Sequence, residues 1–284
     1  MPFVQAGSHS LHYTDSHPTG APTPSGLTFI FIHGLGSSQN YYFPVIPHIT
    51  PKHRCITIDT YGAARSPYTG DTVSIPGIAE DVIGVLDALN VAQAVVVGHS
   101  MGGLVVIELG ARYPDRVLGV VPIGPTHPSE MLVSVMGKRA ETVLEGMSTT
   151  IYRTILKARL QGSGMEPMAN TIPSAAVGSR STPLQRAFIR ELLLGQYPEG
   201  YAALCRAIAS AQVPDYAAVR APLLLIAGEE DKSASMEGCR YIFEHVSSQS
   251  KSMEVLGGVG HWHCIEAPDD VGRLIARFAE GIVA

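Results

Sequence analysis

The chain is poor in cysteine, in charge and in long apolar runs. Its 284 residues include four cysteines, Cys55, Cys205, Cys239 and Cys264, with no C-x-x-C spacing. Four scattered thiols make neither a disulfide framework nor a cysteine-based zinc site, so they are read as reduced. Charged residues are 16% of the chain and the net charge is −5, with a pI near 6.1. No basic stripe appears, which argues against nucleic acid as a partner. No apolar run approaches the roughly 20 residues a membrane span needs, so no membrane partner is expected. Met1–Tyr13 lacks a basic start followed by an apolar stretch. A secretory signal is therefore not expected, and cytoplasm is the default location. What the chain does have is 45% hydrophobic residues. That suits one large core, with room for an inserted subdomain, and argues against disorder. Composition specifies no oligomeric state.

Short apolar runs recur along the chain. Leu27–Ile32, Cys55–Ile58, Ala94–Val97, Val117–Ile123, Leu223–Ala227 and Ser252–Leu256 read as strands, most of them buried on both faces. Phe3–Val4 and Ser10–Tyr13 are candidates for an N-terminal hairpin, and Ser16–Gly26 reads as a loop. Helical patterns fall between the strands. Ile78, Val82, Val85, Leu86 and Leu89 share one helical face, as do Val271, Leu274, Ile275, Phe278 and Ile282. Pro268, Asp269 and Asp270 suit the first turn of that last helix. Alternating strands and helices imply a parallel sheet with helices on both faces. The alternation breaks between about Pro125 and Pro214, where helical patterns run on without a strand. There Thr182-Pro183-Leu184-Gln185 reads as a capping box, and Glu199–Ser210 as a further helix. Met131, Met136, Met147, Met165 and Met168 lie in this stretch. They are expected mostly to fill its own core, with a pocket roof as the alternative.

The most informative stretch is Gly98-His99-Ser100-Met101-Gly102, between the strand Ala94–Val97 and a helix-like run, Gly103–Arg112. A sharp strand-to-helix turn strains the serine backbone and needs small neighbours. It leaves the hydroxyl at the sheet edge above a helix N-terminus, which favours developing negative charge. Alone, the pattern also fits a glycine-rich turn with an incidental serine. A serine hydroxyl needs a general base within reach, and the base needs an orienting acid. His261, in Gly257-Gly258-Val259-Gly260-His261-Trp262 after the last strand, is the base candidate. His263 is a rival and is read as a packing histidine. His261-x-His263 lacks a third ligand with useful spacing, so no metal is expected. The acid candidates are Glu229, Glu230 and Asp231, directly after Leu223–Ala227. An acyl-transfer site also needs oxyanion donors. The amide of Met101 is one. The amide of Leu35, in His33-Gly34-Leu35-Gly36 after the Leu27–Ile32 strand, is the other. His33, Gly34 and His99 are read as supporting this loop geometry rather than reacting.

An HG-x-G loop, a G-x-S-x-G turn, an acid after a strand and a late histidine, in that order, resemble the α/β-hydrolase superfamily over nearly the whole chain. Asp59, Gly62 and Ser66 resemble its D-x-x-G-x-G-x-S loop, except that Ala64 replaces the second glycine; Ala64 is assigned no role. The resemblance implies an α/β-hydrolase fold, a mostly parallel sheet flanked by helices, with an inserted helical cap. The core would be residues 1–124 and 215–284, and the cap residues 125–214. It also implies the order nucleophile, acid, base. Its Gly-x-x-Asp placement selects Asp231 over Glu229 and Glu230, beside Ser100 and His261. The segments Gly164–Asn170 and Pro198–Cys205 are similar to the cap of 3-oxoadipate enol-lactonases and their relatives.

The implied activity is a serine hydrolase that opens a lactone or cleaves a carboxylic ester through an acyl-enzyme, without a cofactor. The implied partner is a small-molecule ester or lactone. Ser100 disfavours the dehalogenases and epoxide hydrolases of similar fold, which use aspartate at that place. Two alternatives remain: a C–C bond hydrolase with the same three residues, and a receptor-like pseudo-hydrolase that binds without turnover. Arg153, Arg159, Arg180, Arg186 and Arg190 are candidate partners for an anionic substrate group.

Overall fold

The structure, a computed structural model, describes residues 2–18, 26–145 and 164–283. Met147, Arg153 and Arg159 lie outside them. Strands β1 (Phe3–Ala6) and β2 (His9–Asp15) form an antiparallel hairpin. It is longer at both ends than the apolar run suggests, because the turn closes tightly at Gly7, φ 57°. Then come β3 (Thr28–Ile32), β4 (Arg54–Ile58), helix α1 (Ile75–Ala88), β5 (Ala94–His99), α2 (Met101–Arg112) and β6 (Val117–Ile123). Among the described residues, four helices follow without a strand: α3 (Glu130–Glu145), α4 (Glu166–Ala175), α5 (Pro183–Leu194) and α6 (Pro198–Ala209). The chain returns to the sheet with β7 (Leu223–Gly228), α7 (Met236–His245), β8 (Lys251–Leu256), the single turn α8 (His263–Glu266) and α9 (Pro268–Val283).

The described strands form one eight-stranded sheet in the order β1-β2-β4-β3-β5-β6-β7-β8. From β4 to β8 every neighbouring pair is parallel, and β2 joins β4 antiparallel. Every residue of β5 and β7 is buried, as central strands covered on both faces must be. The cover can be read from β6. A Cβ on Gly119 would meet Phe278 and Ile282 of α9, while the next residue, Val120, lies against Gly110 of α2. Successive strand residues point to opposite faces, so α2 and α9 pack on opposite sides of the sheet. The fold is therefore the mostly parallel, helix-flanked sheet that the sequence implies.

The helical insertion packs as two pairs, α3 on α6 and α4 on α5. Helix α5 starts with the capping box read in the sequence: Thr182 Oγ1 accepts from the Gln185 amide, and Gln185 Oε1 accepts from the Thr182 amide. Helix α6 starts at Pro198, one residue earlier than expected, since proline suits a first helical position. The insertion meets the core at glycines. Leu193 and Tyr201 close on Gly36 after β3, Gly200 on Gly62 after β4, and Gly178 on Gly258–Gly260 after β8. These contacts place it above the carboxyl ends of the strands. Ala64, where relatives of the loop carry glycine, keeps a positive φ of 46°. Its amide donates to Gln196 Oε1, and Gln196 Nε2 donates to the Ser37 carbonyl. A buried amide thus ties the insertion to two core loops.

Packing is also close at the β5–α2 turn. A Cβ on Gly102 would sit 2.0 Å from the Ile32 carbonyl oxygen, and one on Gly98 2.0 Å from the Gly102 oxygen. Both obstacles are backbone, which moves only if the helix leaves the sheet. Gly102→Ala should lose about 3 kcal/mol or more in urea unfolding. Gly137→Ala, on α3 with open space around it, should be neutral or gain up to about 1 kcal/mol. Equal stability of the two variants would contradict this packing.

Candidate active site

Ser100 is the hinge of the turn between β5 and α2. Its backbone has φ 54° and ψ −112°, a conformation that costs a non-glycine residue about 1–3 kcal/mol. Neighbours hold it there. The Ser100 amide donates to the Ile123 carbonyl at 2.9 Å, and the Ser100 carbonyl accepts from the amides of Leu104 and Thr126 at 3.1 Å each. The hydroxyl faces His261, whose Nε2 is 2.9 Å from Ser100 Oγ. On the far side of the ring, Nδ1 is 2.8 Å from Asp231 Oδ2. Asp231 Oδ1 accepts from the amides of Ser233 and Ala234 at 2.8 and 2.9 Å. Its buried carboxylate is thus filled by donors.

Burial alone would push the Asp231 carboxyl up. The charge and hydrogen bond of His261, with smaller help from His263 and the Ala234 amide, hold it well below the usual carboxylate range. An ionised Asp231 accepts from Nδ1–H, so Nε2 presents a lone pair to the Ser100 hydroxyl. Such a chain can remove a proton from serine as it attacks a carbonyl. The rival acids sit elsewhere. Glu229 accepts from the Gly258 amide, and Glu230 from the amide and hydroxyl of Ser179. Neither is hydrogen-bonded to His261.

The His33–Gly36 loop runs beside the serine. A Cβ on Gly34 would lie 3.0 Å from Ser100 Cβ and 2.8 Å from His99 Nδ1, so only glycine fits. Buried His33 accepts from the Thr60 amide at Nε2, which leaves Nδ1–H to donate to the Gly34 carbonyl at 2.8 Å. The Ser37 amide donates to the same oxygen. A trans peptide points its carbonyl and its N–H in opposite directions. Anchoring the Gly34 oxygen therefore fixes the direction of the Leu35 N–H. Met101 is the first residue of α2, where an amide has no acceptor within the helix. Leu35 and Ser100 both line one cavity of about 520 Å³.

Three features of the site carry no signature in the sequence reading. First, two buried imidazoles donate to the His261 carbonyl: His99 through Nε2 at 2.7 Å and His263 through Nδ1 at 2.9 Å. Second, Thr126 lies beside Ser100, its hydroxyl 3.5 Å from Ser100 Oγ. Third, the cavity wall includes Arg139 of α3 and Lys232. Arg180, Arg186 and Arg190 are not in it. They bond Asp270, the Ser181 hydroxyl and Glu166 respectively. Periodicity and charge could not separate Arg139 from the other arginines of the insertion. The methionines divide as well. Met131 and Met136 line the cavity, whereas Met165 is buried and Met168 packs against the core. Among the described residues no group of three His, Cys, Asp or Glu side chains could hold a metal ion. Nor is any helix among them long and apolar enough to cross a membrane.

Comparison with known proteins agrees with the fold. The model of the alpha/beta hydrolase fold family matches residues 28–268. A 3-oxoadipate enol-lactonase of Acinetobacter baylyi is 26% identical over 270 residues, covering 93% of this chain and 91% of that one. A putative carbamate hydrolase, RutD, of a Caulobacter species is 23% identical over 99% of this chain and its own full length. Among solved structures, the enol-lactonase of Burkholderia xenovorans superposes with a TM-score of 0.83 at 24% identity, over 98% of this chain and 99% of that one.

Burial also sets a pH dependence. His33, His99 and His263 are all held below the ordinary imidazole value. Desolvation is the largest cause for each, and the charge of His261 adds to it for His99 and His263. His263 is lowered to about 4. Unfolded histidines take up protons near pH 6.5. Below that pH the unfolded chain binds protons that the native chain refuses, so stability should fall as pH drops from about 6.5 toward 4. Each histidine contributes a slope of up to about 1.4 kcal/mol per pH unit. Asp231 acts in a lower window. Its depressed value adds stability above about pH 3.9, lost as the acid is titrated below that. Urea unfolding at a series of pH values checks both, and a flat profile from pH 7 to 4.5 would contradict the first.

Proposed function

The chain belongs to the α/β-hydrolase fold family, and from that premise we propose a serine hydrolase that opens a lactone or cleaves a carboxylic ester. The carrying observation is the hydrogen-bonded line Asp231–His261–Ser100 at 2.8 and 2.9 Å, ending on a serine in a left-handed backbone state. Relatives named for lactone and carbamate hydrolysis support carbonyl chemistry at such a site.

In this mechanism Ser100 Oγ attacks the substrate carbonyl as its proton passes to His261 Nε2. Asp231 keeps the other ring nitrogen protonated and stabilises the imidazolium. The amides of Leu35 and Met101 receive the oxyanion. Collapse of the tetrahedral intermediate breaks the acyl–oxygen bond, and His261 gives its proton to the leaving alkoxide. A water then attacks the acyl-enzyme, losing a proton to His261, and the acid departs as Ser100 regains its hydrogen. In a lactone the alkoxide and acid are two ends of one product. No step calls for a cofactor. The insertion serves as a cap. Leu132, Val135, Met136, Ile172 and Ile208 supply apolar wall, with Arg139 as a cationic group among them. That wall suits a small, largely apolar substrate.

A panel of p-nitrophenyl esters, lactones and a carbamate tests the reading. Ser100→Ala should lower kcat by about 10⁴-fold or more, and Asp231→Asn by about 10⁴-fold through the wrong imidazole tautomer. Glu230→Gln should leave the rate near wild type. Undiminished hydrolysis in Ser100→Ala would rule the mechanism out. Turnover of a vinylogous diketone with none of the panel would favour carbon–carbon cleavage.

A further inference from the structure

Glu266, at the end of α8, is a buried carboxylate that the mechanism above does not use. It is 4% exposed. Oε2 accepts from the Gly178 amide at 2.7 Å and from the Gly260 amide at 3.0 Å, and Oε1 accepts from the Trp262 amide at 2.9 Å. Gly260 and Trp262 flank His261 on both sides. Gly178 belongs to the insertion, between α4 and α5. One side chain therefore holds both neighbours of the base and one strand of the roof.

The surrounding bonds complete a frame. The His261 amide donates to the Ala176 carbonyl, again in the insertion, at 2.8 Å. Its carbonyl accepts from His99 and His263. The Arg180 amide donates to the Gly258 carbonyl at 3.1 Å. The backbone contact is too close for side chains: a Cβ on Gly178 would lie 2.4 Å from the Gly258 oxygen, and one on Gly260 2.4 Å from the Gly178 nitrogen. Charge-assisted bonds are stronger than neutral ones and leave little angular freedom. Three amide donors converge on this one carboxylate, from both sides of His261 and from the insertion.

We propose that Glu266 is a positioning residue, joining the loop of His261 and the Ala176–Arg180 segment of the insertion into one rigid unit that aims the imidazole at Ser100. The proposal rests on the hydrolytic reading above.

Glu266→Gln keeps shape and volume but turns one acceptor into a donor facing an N–H. Imidazole misplacement lowers the chemical step rather than binding. The expected result with an activated ester is a fall in kcat of about 10- to 100-fold, with KM within about threefold of wild type. Phosphonylation of Ser100 by a fluorophosphonate should slow in parallel, because it needs the same base. A folded variant with unchanged kcat, or one in which only KM rises, would overturn the proposal. Hydrogen exchange on the unmutated protein gives a test that needs no variant. The Gly178, Gly260 and Trp262 amides should exchange slowly and at a common rate, whereas fast exchange of Gly178 beside a protected Gly260 would sink the coupling. Full turnover in Ser100→Ala would remove the hydrolytic reading itself. Loss in Ser100→Ala with full kcat in Glu266→Gln would remove only the positioning role.

Discussion

The site depends on how closely α2 can approach the sheet. At Gly98 and Gly102 the helix backbone comes so near β5 and the end of β3 that no Cβ fits. That approach forces the connecting residue into a left-handed turn, and the residue there is Ser100. Its hydroxyl is driven to the carboxyl edge while the helix N-terminus opens beneath it. The strain of about 1–3 kcal/mol is small beside the burial that drives the packing. A large, two-faced core thus holds one serine in a state it would not adopt alone.

His261 is held on a different plan. Ser100 is fixed through its own backbone dihedrals, whereas His261 is fixed through bonds to its peptide groups. Its amide, its carbonyl and both flanking amides are taken by Ala176, His99, His263 and Glu266. The ring itself touches only Asp231 and Ser100 through hydrogen bonds. This division suits proton transfer. The imidazole can change charge and adjust slightly while its anchor stays still. It also draws the roof into the site, because two of the anchors are bonded to, or belong to, the insertion.

Much of this was legible in the sequence, for physical reasons that differ by element. Strands β3, β5, β6 and β7 stand out as unbroken apolar runs because helices cover both of their faces. Strand β8 sits at the sheet edge with alternating exposure, so its start falls one residue before the apolar pattern does. Glu229, Glu230 and Asp231 share one place after β7 and only the family resemblance selects Asp231, whereas Ser100 and His261 could be named because each lies just after a strand and carries a side chain suited to one chemical task. Glu266 could not. Its partners are backbone amides of glycines and a tryptophan, and amides look the same in every sequence. Arg139 was missed for another reason. It lies on an amphipathic helix whose orientation over the cavity is set by packing on α6, a contact between segments far apart in the chain. Ala64 shows the limit of reading conformation from residue type, since its positive φ is imposed by the Gln196 bond and the surrounding loop rather than by a glycine.

The three buried histidines near the site follow from the same constraint. His33 has to stay neutral and keep one tautomer, because its Nε2 accepts from the Thr60 amide while Nδ1–H donates. His33 serves the Gly34 oxygen, and His99 and His263 serve the His261 oxygen. Burial secures neutrality by penalising the second proton. It leaves the remaining nitrogens of His99 and His263 without partners, a cost of about 1–3 kcal/mol for each buried orphan. Sensitivity to acid is the consequence of burying titratable rings at these carbonyls.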